Sequence, residues 1–168
     1  SKIFNKKERI PTPNGKRKIR IITTGGSSNP NQGLSFYEYL DKNLDFSKYE
    51  FTFLGNCSYK FINSRHIKPL PSLEVAGLLK NSDIFITASK NDPCSNSLVE
   101  ALSCGLPSVY LNSGGHPELV RGGGESFTTE AEMIESINKV AQNYDFYQKN
   151  INVLSMEEVA KRYLEVFN

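Results

Sequence analysis

Histidine and cysteine are both scarce, and the scarcity is informative. Only His66 and His116 occur among 168 residues, and neither stands in a cluster with ligand spacing, so the sequence predicts no metal site. The three cysteines, Cys57, Cys94 and Cys104, are odd in number and widely scattered. That excludes a disulfide framework and fits a reducing, cytoplasmic setting, with the thiols structural. No apolar run approaches the length needed to cross a bilayer. A net charge of +2 is too small to point to nucleic acid. The basic start of the chain lacks the apolar stretch of a secretory signal, so no export signal is read there. Lys6, Lys7, Arg9, Lys16, Arg17, Lys18 and Arg20 gather nonetheless. They read as a solvated linker, with attraction to anionic headgroups, and so a peripheral membrane association, as the alternative.

What is present suits one domain with a hydrophobic core. Pro11, Pro13 and the Asn14, Gly15 pair break regular structure, which makes residues 1–15 an extended basic arm and 16–168 the domain. Residues 18–25 are a β-branched strand. Phe36, Leu40 and Leu44 recur at helical spacing after it. Residues 49–56 and 65–70 read as strands, residues 72–82 as a helix, and 83–89 as a continuous apolar strand of the kind covered on both faces. A helix opening near Ser95, a strand over 108–112, one helical turn in the glycine-rich stretch after it and a short strand at 125–128 follow. Thr129 and Glu132 form a capping box that starts a helix running to about Gln142, and Ser155 and Glu158 form a second box. The last helix carries a stripe of Met156, Val159, Ala160, Tyr163, Leu164 and Phe167. Strands alternating with helices in this way predict an α/β fold, a Rossmann-like doubly wound parallel sheet with its ligand site at the carboxyl ends of the strands.

That prediction directs attention to residues 91–107, where Asp92 and Glu100 flank a small polar turn. The helix beginning near Ser95 points its N-terminus at the ligand-binding rim, and its free amides at Asn96, Ser97 and Leu98 make a pocket for an anion such as phosphate. Ser95 by residue type alone reads as a plain N-cap, and Asp92 as an Asp-Pro turn starter. Glu100 sits among Leu98, Val99, Ala101 and Leu102. An unpaired carboxylate is costly there. It stands either on the one wet face of its helix or against a vicinal diol, as α/β nucleotide sites hold ribose.

The stretch "DIFITASKNDPCSNSLVEALSCGLPSVYLNSGGHPELV" resembles the carboxyl-terminal domain of GT-B glycosyltransferases, specifically the retaining, nucleotide-sugar-dependent family-four group. There an E-x7-E motif runs into "EA-x-x-CG-x-P" and, one strand later, "GG-x-PE". Glu100, Ala101, Cys104, Gly105 and Pro107 match the middle of that signature, and Gly114, Gly115, Pro117 and Glu118 match its end. The resemblance implies that Glu100 holds the ribose of a nucleotide-diphospho-sugar of UDP or GDP type. It places the diphosphate at Asn96, Ser97 and Leu98, the transferred sugar at Asp92, and the base near Ile67. It implies no cofactor beyond that donor substrate, and a partner: an N-terminal Rossmann-like half carrying the acceptor site. Surface polysaccharide or lipopolysaccharide synthesis is the setting in which the family abounds.

Two features depart from the family pattern. The first acid is Asp92 rather than Glu, and the loop after the first strand carries Ser27 and Gln32 where relatives place an Arg and a Lys against the diphosphate. Preorganised positive charge at the leaving group is a large catalytic contribution. The alternative reading is therefore a non-catalytic nucleotide-sugar-binding or interaction module. Lys90 and Lys60 are the candidate substitutes. A glycogen-synthase-like or epimerase member of the same fold is a third reading. A dehydrogenase-like dinucleotide site is disfavoured, because residues 23–33 lack the G-x-G-x-x-G spacing.

Overall fold

The computed structural model describes residues 3–6, 17–25, 30–154 and the single positions 158, 161, 164 and 165. Most of the arm at 1–15, Ser27, and the stripe from Met156 to Phe167 except Leu164 lie outside the described residues.

Six parallel strands form one sheet in the order β3-β2-β1-β4-β5-β6. They are β1 (Ile19–Thr24), β2 (Tyr49–Leu54), β3 (Arg65–Ile67), β4 (Ile84–Thr87), β5 (Ser108–Leu111) and β6 (Gly124–Phe127). The helices bounded among the described residues are α1 (Leu34–Asn43), α2 (Ser72–Lys80), α3 (Asn96–Ser103), α4 (His116–Val120), α5 (Glu130–Gln142) and α6 (Tyr144–Lys149), and the single positions 158, 161, 164 and 165 are helical too. This is the doubly wound arrangement the sequence predicts. β4 and β5 are buried at every position, in keeping with their uninterrupted apolar sequence. The chain winds outward through β2 and β3 and returns over α2 to place β4 on the other flank of β1. The order therefore reverses between β1 and β4, and a crevice opens at the carboxyl ends of those two strands.

Each sheet face has its own core. Phe36, Tyr37 and Leu40 of α1 and Met133, Ile137 and Val140 of α5 cover one side. Ala76 and Leu79 of α2, with Leu98, Ala101 and Leu102 of α3, cover the other. α5 starts on the capping box read from sequence: Thr129 Oγ1 accepts the Glu132 amide, and the Glu132 carboxylate accepts the amides of Thr128 and Thr129. Phe4 is buried in the second core beside Ile151, so residues 3–6 are docked rather than part of a solvated arm. Of the cysteines only Cys104 is a buried structural thiol, while Cys57 is half-buried and Cys94 exposed.

Between β2 and β3 an irregular segment stands in for a helix. Asp41, fully buried on α1, gathers it by accepting the amides of Ile62, Asn63 and Ser64 at 2.9, 3.0 and 2.8 Å and the Tyr59 hydroxyl at 3.1 Å. Phe61 of the same segment stacks on Phe53 with centroids 5.1 Å apart. Burial works against the Asp41 charge, but hydrogen bonds from Ser64, Ile62, Asn63 and Tyr59 outweigh it and hold the carboxyl below its ordinary range.

Candidate functional site

A cavity of about 550 Å³ occupies the crevice between β1 and β4. Its floor comes from the strand ends, Thr24 with Gly25 and Thr87 with Ser89, and one wall from Asp92, Ser95, Asn96, Ser97 and Glu100. Gln32, in a single 3-10 turn (Pro30–Gln32), lines it as well. Fold and sequence thus bring together the candidate residues from Asp92, the α3 N-terminus, Glu100 and Gln32. Leu98 contributes no side chain to the cavity, being fully buried in the second core, and only its amide faces the helix start. Ile67 does not line the cavity. Its carbonyl accepts the Gly55 amide at 2.8 Å, and Pro69 and Leu70, just past the end of β3, form that wall instead.

Three polar arrangements shape the interior. The first is Glu100, half-buried on the cavity wall, whose carboxylate makes no hydrogen bond or ion pair with any described residue. Burial pushes it above the usual carboxylate range. The second is the start of α3. Ser95 is 3% exposed and does not cap the helix; its hydroxyl pairs with that of Ser97 at 3.1 Å. Among the described residues none accepts from the amides of Asn96, Ser97 or Leu98, which leaves these donors for a ligand. Asp92 does make the turn its residue type suggests, accepting the Cys94 amide at 3.1 Å, and still faces the cavity.

The third arrangement was not legible in the sequence. His116 is fully buried: its Nδ1 donates to the Leu111 carbonyl at 2.9 Å, so Nε2, 3.2 Å from Ser89 Oγ, accepts from that hydroxyl. Ser89 in turn lies 3.2 Å from Thr87 Oγ1. This chain fixes two hydroxyls of the cavity floor. Thr24 Oγ1, also on the floor, is buried without any partner.

The two glycines after β5 hold the acidic turn in place. Gly114 has φ +58°, and a Cβ there would lie 2.3 Å from the Asp92 carbonyl oxygen; one on Gly115 would lie 2.2 Å from that of Pro93. The approach is backbone to backbone, stitched by Gly115 N–H to Asp92 O at 2.9 Å and Asn91 N–H to Ser113 Oγ at 3.0 Å. Gly115→Ala is expected to push the turn carrying Asp92 and Ser95 outward. Its Tm should fall by roughly 4–8 °C, at about 2–4 °C per kcal/mol for a domain of this size, a shift that differential scanning calorimetry resolves.

No cation lines the cavity among the described residues. Lys90 and Lys60 are exposed and stand outside it. Residues 26–29 read Gly-Ser-Ser-Asn and bring no charge to the loop after β1.

A parallel sheet in this order, with a polar cavity at its reversal point and a helix N-terminus on the cavity wall, defines a Rossmann-like α/β domain of the GT-B glycosyltransferase class. The chain belongs to the group 1 glycosyl transferases, whose family model matches residues 19–143. It is 29% identical over 94 residues to a probable sucrose-phosphate synthase of Thermosipho melanesiensis, a match spanning 52% of this chain and 22% of that protein. The catalytic domain of starch synthase IV from Arabidopsis thaliana, solved with ADP and acarbose, superposes with a TM-score of 0.73 at 14% identity, over 99% of this chain and 40% of that one. The C-terminal domain of a group 1 glycosyl transferase, LpcC, from Francisella tularensis gives 0.69 at 13% identity and 96% coverage of both chains. This chain thus spans well under half the length of the sucrose-phosphate synthase and of the starch synthase domain.

Proposed function

We propose that this chain is the donor half of a retaining glycosyltransferase, binding a nucleotide-diphospho-sugar in the cavity between β1 and β4. The observation that carries the reading is Glu100, a half-buried carboxylate on the cavity wall without a partner among the described residues. Leaving such a group unsatisfied is costly, and a ribose offers two hydroxyl donors in the geometry a carboxylate accepts. The amides of Asn96, Ser97 and Leu98 then receive the diphosphate, aided by the helix dipole. The sugar extends toward Asp92, and the base lies along Pro69 and Leu70. An N-terminal Rossmann-like domain supplies the acceptor and closes the cleft. The starch synthase domain, which shares this fold, was solved with ADP, and that supports a nucleoside diphosphate as the kind of ligand bound. Synthesis of a surface polysaccharide or lipopolysaccharide is the biological setting we favour.

Calorimetric titration with uridine, guanosine and adenosine sugar nucleotides tests the reading, and saturable binding of one of them is the expected result. Because protonation removes an acceptor from the diol, affinity should fall as pH drops through the raised pKa of Glu100. Glu100→Gln should flatten that dependence. A sugar nucleotide is the right probe because its diphosphate does not titrate in this range. That no cation among the described residues lines the cavity favours a second reading, an interaction module that kept the fold, and failure to bind any of the three would select it.

A further inference from the structure

α2 and α3 do not cover their sheet face along its whole length. Near the amino ends of β1, β2 and β3, at the edge opposite the nucleotide cavity, a second cavity of about 430 Å³ remains open. Three cations line it, Lys18, Arg20 and Arg65, against one acid, Glu50. Sheet register explains the grouping: Arg20 lies beside Glu50 on the neighbouring strand, and Arg65 beside Thr52. Alternation along each strand then turns these side chains to the same face as Ile22.

Arg20 is the unusual member. Its Nε and Nη2 are buried and have no hydrogen-bond partner among the described residues. The nearby acid Asp83 is already engaged, accepting Arg17 Nη1 and Nη2 at 2.6 and 2.9 Å and the Arg20 amide at 2.8 Å. Arg20 Nε stands 3.7 Å from that carboxylate, beyond hydrogen-bonding distance. The carbonyls at the end of α2 are engaged too: Gly77 O accepts from Asn81 and Leu78 O from the Ser82 hydroxyl. Asp83 is thus shared between Arg17 and Arg20, and Glu50 is the one carboxylate among the residues that line the cavity.

We propose that this cavity binds a phosphoryl group, held by the guanidinium of Arg65 and the exposed side of Arg20 with Lys18 at the rim, and that it is independent of the nucleotide site. A planar guanidinium matches two phosphate oxygens at once, and Arg20, ion-paired at Nε with Asp83, keeps 27% of its side chain exposed at the cavity. The chemistry is shared by a soluble phosphate ester and a phospholipid headgroup.

The test is inorganic phosphate titrated at constant ionic strength while the Arg20 Nε–H resonance is followed, with vesicles of phosphatidylglycerol or phosphatidylcholine in a parallel sedimentation arm. A saturable shift, weakened at least tenfold in Arg20→Gln and in Arg65→Gln with sugar-nucleotide binding unchanged, is the expected result. Arg65 is exposed, so its variant tests the site without disturbing the core. Binding of phosphatidylglycerol vesicles alone, lost in the same variants, would also support the site and make the headgroup its source. A linear response, or one that chloride reproduces or that persists in both variants, means an adventitious ion only and overturns the proposal.

Discussion

Glu100→Ala is expected to weaken sugar-nucleotide binding at least about a hundredfold. Two hydrogen bonds to an ionised carboxylate contribute about 1.5–3 kcal/mol each, and 1.4 kcal/mol is tenfold in affinity. The variant should also become indifferent to the sugar of the nucleoside: a 2′-deoxy donor should bind the unmodified chain poorly and the alanine variant as well as the ribose form does. The fold should not suffer. With its pKa raised in the folded state, Glu100 favours folding when protonated and opposes it as pH rises through that value. At neutral pH its removal should leave Tm unchanged or slightly higher. Weaker binding accompanied by a fall in Tm would mean that Glu100 serves the core and not the donor.

Asp41→Ala should produce the largest loss of stability. The carboxylate accepts three amides and a hydroxyl in a fully buried position, and its removal strands those donors. A cost of about 4 kcal/mol would lower Tm by roughly 8–16 °C. Amide exchange should quicken first over residues 59–67, because the segment and the edge strand β3 depend on this anchor. Since the folded pKa is depressed, the stabilisation is complete above the unfolded value of about 4 and disappears as pH falls through the folded one. Asp41→Asn, which cannot ionise, should therefore show a flatter acid limb in urea melts from pH 7 to pH 2.

Most of the fold could be read from sequence because its signals are local. The apolar run of β4, the capping box of α5 and the helical spacing of Phe36 and Leu40 each lie within one element. α6 escaped notice because six residues after a break at Asn143 are too few to establish a period. The acidic turn and Glu100 were legible through their motif. Ligand-side detail depended on contacts that only the folded chain makes. Asp41 looks like an ordinary helix acid until partners some twenty residues later reach it. His116 meets Ser89 only because parallel pairing brings β4 beside β5. Within the stretch 66–70 that the resemblance sets along the base, Pro69 and Leu70 line the cavity and Ile67, where β3 ends, does not.

That no cation among the described residues lines the cavity has a kinetic consequence. Charged clefts capture oppositely charged ligands by long-range steering, which speeds encounter and makes its rate fall with ionic strength. On the proposed reading an anionic donor would approach Asp92 and Glu100 and gain only from amides acting at contact distance, so its association rate with this half should be insensitive to ionic strength, which stopped-flow mixing at two salt concentrations checks.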